Sequence, residues 1–347
     1  MRCEGLFVAG IAHWLPAMMP VAEAVAAGAY DADEQARNDY ASVTVAQAAD
    51  APPVMAVRAA RIALDRASVP PGDITLLLHA SFWFQGIDFW SAAPYIHNAV
   101  LPGNRRAPAI DISQMSNGSL GGVELAASYL AADPARRAAL VTVADRFQLP
   151  GFDRWRSDVA GIVYGDGAAA IVLSRDGGFA RLLAMVTVVD TRLENLYRGS
   201  QPFGVMSGEA GRPLDNRARR RAHLDDTGFQ TVVEQTTAGL TEAVETALHE
   251  SGVQRAGIAR FVFPSVGLAG LSSRYLAPLG LDLSATTWHW GRRTGHVGAA
   301  DQLSGLTELV DSGALEPGQR AVLIGIGAGF SWSCAVVEID RRPGWLG

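Results

Sequence analysis

Apolar positions along this chain follow two alternating patterns. Residues 54–69 carry apolar side chains at helical spacing, and this pattern stops before Pro70 and Pro71. Residues 74–81 are instead apolar on both faces, as expected of a buried central strand. An aromatic loop and helix at 82–100 and a strand at 107–113 follow. This alternation predicts an α/β fold built in layers.

The same order of elements recurs in the second half of the chain. In the first half it continues with a glycine-containing helix and two strands, at 116–131, 138–145 and 161–174. In the second half it consists of a long amphipathic helix, a strand, a helix after Gly295 and two final strands, at 231–253, 258–266, 296–313, 320–329 and 331–340. We match the last two strands with those at 138–145 and 161–174, which predicts an internal duplication.

The repeat divides the chain into two predicted α/β halves, residues 1–175 and 176–347. Duplicated folds commonly bind their ligands between the halves, so we expect the functional site there. Residues 206–229 are polar without a periodic pattern, and we interpret them as a surface excursion of the second half.

Composition excludes several classes of function. The net charge is −6, which argues against nucleic acid as a partner because a phosphate backbone attracts basic surfaces. All 29 basic residues are arginines, so lysine Schiff-base chemistry and a P-loop lysine are excluded. The two cysteines, Cys3 and Cys334, lie in no metal-like spacing, so we expect no metal site and a reduced, cytoplasmic protein. No apolar run approaches the roughly 20 residues of a membrane span, so we expect no membrane association.

Four local motifs resemble the thiolase superfamily, and most closely β-ketoacyl-ACP synthase III. They are VAGIAHWLP near the start, DISQMSNGSLGG, YGDGAAAIVL, and GAGFSWSCAVV near the end. The resemblance implies a thiolase-like fold with two duplicated halves in a five-layered αβαβα arrangement, and a homodimer. It also implies acyltransfer from a short acyl-CoA to acyl-carrier protein, with the coenzyme A thioester as substrate and no cofactor.

The chain departs from that family at its catalytic positions. The nucleophilic cysteine of the elbow motif is Ser116, and the histidine of the family's Pro-His-Gln-Ala-Asn pattern falls on Ser265. The asparagine of its Gly-Asn-Thr-Ser pattern falls on His296, and Asp301 follows. This GHVGAADQ segment and the serine resemble the priming ketosynthases and acyltransferases of anthracycline (daunorubicin-type) polyketide pathways, which implies a propionyl substrate.

Serine at this position needs a base, because a helix N-terminus that helps to ionise a cysteine cannot ionise the less acidic serine. The duplicated fold brings His296 to the same pocket, and Asp301 can hold its imidazole in one tautomer. Ser116, His296 and Asp301 are therefore a candidate catalytic triad. The resemblance further implies an oxyanion hole from the backbone N–H groups of Ser116 and Ala328.

Other residues are candidates for the substrate pocket. We expect Ser265, Trp83 and Phe330 to line it, although the aromatic stretch at 82–97 is equally typical of core and subunit contact. The arginine-rich run 217–221 is typical either of contacts with coenzyme A phosphates or carrier protein, or of solvated surface.

Each triad member also has an ordinary structural interpretation. Ser116 is a favoured helix N-cap type, His296 can replace asparagine as a simple hydrogen-bonding group, and Asp301 is favoured in a first helical turn by the helix dipole. At the level of function, three hypotheses remain. They are a starter-unit enzyme, a tailoring acyltransferase that acts on a natural-product hydroxyl, and a catalytically inactive partner that binds acyl chains or carrier protein.

Overall fold

The computed structural model describes residues 1–159, 161–204 and 213–347. Within these residues the strands are β1 Phe7–Trp14, β2 Met18–Pro20, β3 Ser42–Thr44, β4 Ile74–Ala80, β5 Ala109–Ile112, β6 Ala138–Asp145, β7 Gly167–Ser174, β8 Ala180–Val189, β9 Arg260–Val262, β10 Arg320–Gly327 and β11 Ser331–Ile339. The helices are α1 Val21–Ala26, α2 Ala32–Asn38, α3 Pro52–Ala67, α4 Ala92–Val100, α5 Gly118–Ala131, α6 Asn195–Arg198, α7 Asn216–Thr227, α8 Phe229–Ser251, α9 Leu268–Leu271, α10 Ala277–Leu279, α11 Trp288–Thr294 and α12 Asp301–Asp311.

Nine strands form one sheet, and the strand order in its second half mirrors the strand order in its first half. The order is β5-β4-β6-β7-β1-β8-β11-β10-β9, with β2 and β3 as a separate pair. The β4, β5 and β6 strands pair in parallel, as do β9 and β10, and the other neighbours are antiparallel. Strands β10 and β11 occupy the places in the second half that β6 and β7 occupy in the first. The predicted internal repeat is therefore confirmed. The boundary at residue 175 stays a prediction.

Adjacent residues of the buried strands face different layers. In β6, Leu140 packs in the cluster that contains α3, whereas Val141 packs in the cluster that contains α5 and α12. In β10, Leu323 packs in that same α5–α12 cluster, and Val322 packs in the cluster that contains α8. This alternation follows from the two-residue period of a strand. It produces five layers, namely α3, the first half of the sheet, α5 with α12, the second half of the sheet, and α8, so the predicted thiolase-like fold is confirmed.

The ends of the main helices follow local sequence signals. Helix α3 begins with Pro52 and Pro53 in its first turn, where the missing proline N–H leaves no intrahelical bond unmade. Helix α8 ends at Gly252, whose φ of 69° is the left-handed conformation common after a helix C-terminus. No helix among the described residues combines the length and the apolar character needed to cross a bilayer.

Several predicted boundaries were wrong. Strand β7 begins only at Gly167, and β9 covers only Arg260–Val262 of the expected 258–266. The part of 206–229 that the structure describes is also not irregular, because Asp215 caps α7 by accepting a hydrogen bond from the backbone N–H of Ala218. Residues 205–212 lie outside the described residues.

Candidate active site

Ser116 lies in a short 3₁₀ turn, Met115–Asn117, at the N-terminus of α5 in the middle layer. The turn is held by Asn117, whose buried side-chain amide donates to the Oγ atoms of Ser331 and Ser333 at 3.1 and 2.8 Å. Ser116 itself is half-buried. The fold therefore presents its hydroxyl to a cavity while fixing the turn beneath it to β11.

His296 lies in the turn between α11 and α12, and the first half of the chain holds its backbone. Its N–H donates to the carbonyl of Val163 at 2.8 Å, and its own carbonyl accepts from the N–H of Gly165 at 3.0 Å. The preceding Gly295 has a φ of 70°, and a Cβ there would lie 3.0 Å from the Val163 carbonyl oxygen. Glycine is needed at this turn because a side chain would be both strained and crowded.

The structure brings Ser116, His296 and Asp301 together. The Ser116 Oγ lies 2.8 Å from the His296 Nε2, although the two residues are 180 positions apart. The His296 Nδ1 lies 2.5 Å from the Asp301 Oδ2. Because an ionised carboxylate can only accept, Nδ1 carries the donated hydrogen and Nε2 is left to accept from the serine hydroxyl. This is the arrangement that a serine nucleophile needs.

Asp301 is fully buried and has further partners that fix its carboxylate. Its Oδ2 also accepts from the backbone N–H of Ser265 at 2.7 Å, and its Oδ1 accepts from the N–H of Val297 at 2.8 Å. Hydrogen bonds of this kind favour the ionised form of a buried carboxyl group. The carboxylate is thus oriented toward His296 before any substrate arrives.

Acidic neighbours set the basicity of His296. Burial lowers the pKa of the imidazole, but the charge and hydrogen bond of Asp301, with the charges of Asp158 and Asp145, more than offset this effect. The pKa of His296 is consequently raised above its ordinary value. An imidazole with a raised pKa is a stronger base. It also stays protonated, and so cannot accept the serine proton, up to a higher pH.

Asp145, at the end of β6, is a second buried acid beside this site that the sequence analysis did not identify. Its Oδ1 accepts from the backbone N–H groups of Phe82 and Trp83 at 3.1 and 3.0 Å. Burial raises the pKa of the Asp145 carboxyl to about 7, despite these hydrogen bonds. The residue anchors the start of the aromatic loop next to the turn that carries His296.

Ser116 and His296 open into a cavity of about 410 Å³. Its apolar lining comes largely from α8 and the ends of β10 and β11, and includes Phe229, Val232, Val233, Leu240, Ile326, Phe330 and Trp332. Its polar lining residues include Asp158, Tyr197, Asn216, Arg220, Arg274 and Tyr275. The volume is in the range of pockets that bind drug-sized molecules.

The predicted lining residues are only partly found in this cavity. Phe330 and Ala328 line it, whereas Trp83 and Ser265 are not among its lining residues. Trp83 packs edge-on against the Phe152 ring, with centroids 5.4 Å apart, and its neighbour Phe82 lines the cavity instead. Ser265 contributes its backbone N–H to Asp301. The assignment of Trp83 and Ser265 to the substrate pocket stays a prediction.

The arginine-rich run divides between structural and cavity-facing residues. Arg217 forms an ion pair with Glu34 at 2.9 Å, and Arg219 donates to the Gln201 side chain at 2.9 Å. Arg220 alone in the run lines the cavity of Ser116. The helical spacing of α7 directs these arginine side chains to different faces. The sequence contained no signal for which of those faces packs toward the cavity.

Comparison with known proteins agrees with this geometry. Two family descriptions match: 3-oxoacyl-[acyl-carrier-protein (ACP)] synthase III over residues 110–190, and the C-terminal part of the same enzyme over residues 248–339. The chain is 29% identical over 297 residues to a β-ketoacyl-[acyl-carrier-protein] synthase III from Rhodospirillum rubrum, covering 82% of this chain and 83% of the relative. It is 25% identical over 291 residues to that of Rubrobacter xylanophilus, covering 82% of each.

Solved structures show the same similarity. ChlB3, described as an acyltransferase, is 35% identical, with a TM-score of 0.92 and coverage of 98% of this chain and 99% of ChlB3. The priming β-ketosynthase of the R1128 polyketide pathway shares the fold, with 22% identity, a TM-score of 0.78 and coverage of 99% of this chain and 98% of that one. The chain therefore belongs to the 3-oxoacyl-[acyl-carrier-protein] synthase III family of thiolase-fold acyltransferases.

Proposed function

We propose that this enzyme is a starter-unit (priming) ketosynthase or acyltransferase of type II polyketide biosynthesis. It loads a short acyl group from acyl-CoA onto Ser116, then passes it to acyl-carrier protein or condenses it with malonyl-carrier protein. The observation that supports this proposal is the relay in which Ser116 lies 2.8 Å from His296 and His296 lies 2.5 Å from the buried Asp301.

The proposed loading step follows from these contacts. The Ser116 Oγ attacks the thioester carbonyl carbon while its proton moves to the His296 Nε2, and Asp301 stabilises the imidazolium that forms. The carbon–sulfur bond then breaks, the proton passes to the leaving sulfur, and acyl-serine and free coenzyme A result. The backbone N–H groups of Ser116 and Ala328 are the proposed donors to the oxyanion.

The proposal also covers which acyl group is loaded and whether the reaction needs a cofactor. Propionyl is the acyl group that the resemblance to daunorubicin-type enzymes implies, and it is the first to test. The thioester supplies the activated carbonyl, and Ser116 with His296 supplies the nucleophile and base, so the proposed reaction uses no cofactor. A second candidate is acyltransfer to a natural-product hydroxyl, which begins with the same acyl-serine; ChlB3 is described as an acyltransferase.

The test is intact mass measurement and peptide mapping after incubation with a panel of acyl-CoAs. We expect an acyl adduct on the peptide that contains Ser116, and none with Ser116→Ala. Ser273→Ala is the matched control, because Ser273 lines the same cavity. Burial raises the pKa of the Cys3 thiol to about 11 and that of Cys334 also, so neither should compete. An adduct that persists in Ser116→Ala contradicts the proposal, and no adduct with any acyl-CoA favours a non-catalytic partner.

We also propose a homodimer formed through β5. This strand is the outermost on its side of the sheet, so its edge is open to pairing. Large apolar side chains are exposed around it, namely Phe84, Ile87, Phe89, Trp90, Tyr95 and Ile110. Such a patch is typical of a protein interface. Light scattering should give the mass of a dimer, and Ile110→Arg should shift it toward the monomer. A wild-type monomer at micromolar concentration contradicts this proposal.

A further inference from the structure

Arg220 is a cation that lines the reaction cavity, and its electrostatic contact with an acid, Asp158, is not a close ion pair. It is half-buried in α7, and among the residues that the structure describes none accepts a hydrogen bond from it or lies within ion-pair distance. Burial is the main cause that lowers the pKa of this guanidinium. Withdrawing a charge from water without a partner is costly, so such an arginine is typical of a site whose partner is a ligand.

Two tyrosines of the same cavity add further unused donors. Tyr197 and Tyr275 line the cavity, and in the described part of the chain neither hydroxyl has a hydrogen-bond partner. Burial raises the pKa of both phenols, so they remain neutral donors at physiological pH. The guanidinium and the two hydroxyls together form a set of donors suited to one anionic oxygen group.

The acid nearest to this set is already hydrogen-bonded to other groups. The Asp158 carboxylate accepts from the Tyr164 hydroxyl at 2.5 Å and from the Val159 N–H at 2.7 Å. Arg274, an exposed residue, also lines the cavity and adds a second positive charge. Among the lining residues named above, two arginines therefore stand against the one carboxylate of Asp158, and a bound anion would balance them.

The subsite is also close to the reacting groups. The Tyr164 ring lies between Asp158 and the base, with its centroid 5.0 Å from that of His296. Arg220 lines the same continuous cavity as Ser116, so a thioester bound at the serine can extend its acyl group toward the guanidinium.

We propose that this enzyme also accepts acyl thioesters whose acyl group ends in a carboxylate, and that Arg220, with Tyr197 and Tyr275, binds that carboxylate. The inference rests on the proposed function and extends its acyl range beyond neutral short chains. The apolar lining residues of the cavity are available to the rest of the ligand. A charge-assisted contact of this type favours the carboxylated acyl group by about 10-fold or more.

The experiment measures binding in the Ser116→Ala background by calorimetry, so that it does not depend on turnover. Pantetheine thioesters of succinate and glutarate are compared with the neutral butyryl and pentanoyl thioesters, all without phosphate; malonyl is left out because the proposed function already includes a malonyl substrate. We expect at least one dicarboxylic thioester to bind about 10-fold or more tightly than its neutral counterpart. Adding Arg220→Gln should remove this preference, and Arg220→Lys should keep part of it.

Matched variants and a second substrate series separate carboxylate binding from misfolding and from phosphate binding. Arg221→Gln is the control, because Arg221 is an exposed arginine of the same helix that is not among the lining residues of this cavity. Arg221→Gln should leave the preference for the carboxylated thioester intact, whereas Tyr275→Phe should weaken it. The Tyr275→Phe measurement tests the inference even if Arg220→Gln does not fold. Equal binding of charged and neutral thioesters overturns the inference. So does an Arg220 effect seen only when coenzyme A replaces pantetheine, because the bound anion is then a phosphate.

The proposed function can fail separately from this inference. In the enzyme that retains Ser116, propionyl loading without any carboxylate preference contradicts only the inference. Tighter binding of a dicarboxylic thioester, with no acyl adduct on Ser116 from any substrate, contradicts only the proposed function.

Discussion

The backbone N–H of Ser265 donates a hydrogen bond to the Asp301 carboxylate at 2.7 Å. Ser265 occupies the position that the family's Pro-His-Gln-Ala-Asn pattern assigns to histidine. The main chain at this position now orients the acid that holds His296, and its side chain does not line the cavity. If the correspondence implied by the resemblance holds, the site's imidazole lies on a different loop of the second half from the family's histidine.

His296 and Ser265 should contribute very differently to acylation. His296→Ala removes the only imidazole next to Ser116 in the described residues, and we expect acyl-enzyme formation to slow by about 10²-fold or more. Ser265→Ala keeps the backbone N–H that reaches Asp301, so its effect should be small. Single-turnover acylation followed by mass measures both rates. Equal losses from the two changes would show that the base is assigned to the wrong group.

Acylation should rise with pH, because only the neutral imidazole can take the serine proton. Since the pKa of His296 is raised, the midpoint of kcat/KM against pH should lie above the ordinary value of about 6.5. Asp301→Asn removes the charge that raises this pKa, so the midpoint should move to lower pH. The plateau rate should also fall, because the amide no longer fixes the tautomer. An unchanged midpoint in Asp301→Asn would contradict this account of the relay.

Gly298→Ala should destabilise the turn that carries His296. Gly298 has a φ of 60°, and a Cβ there would lie 2.7 Å from the Asp145 Oδ2. We expect the free energy of unfolding to fall by more than about 1 kcal/mol, measured by urea denaturation. Gly72→Ala is the control, because nothing lies within 4 Å of its added Cβ. Similar losses for both variants would contradict the specific role of Gly298.

Acyl transfer should be faster than condensation. The usual family stabilises the malonyl enolate with both a histidine and an asparagine, whereas here His296 already serves Ser116 and the Ser265 side chain does not line the cavity. A time course with short acyl-CoA and malonyl-carrier protein should therefore show acyl-carrier product ahead of ketoacyl product. Rapid ketoacyl product with no detectable acyl-carrier protein would reverse this order.

The sequence determined the layered α/β fold, the duplication and the identity of the relay residues. Long buried strands such as β6 reveal themselves by continuous apolar runs, because side chains on both faces are covered. Ser116, His296 and Asp301 could be predicted because local motifs resemble the family's catalytic positions and because a serine nucleophile needs a base.

Only the tertiary structure decided what surrounds the relay. Asp145 and Arg220 come from distant elements, and neither shows in its local sequence that it faces the site. In the aromatic loop the sequence analysis expected Trp83 in the pocket, whereas its neighbour Phe82 lines the cavity in the structure. Helical and strand periods define which residues share a face, but the packing of each element against the others decides where that face points.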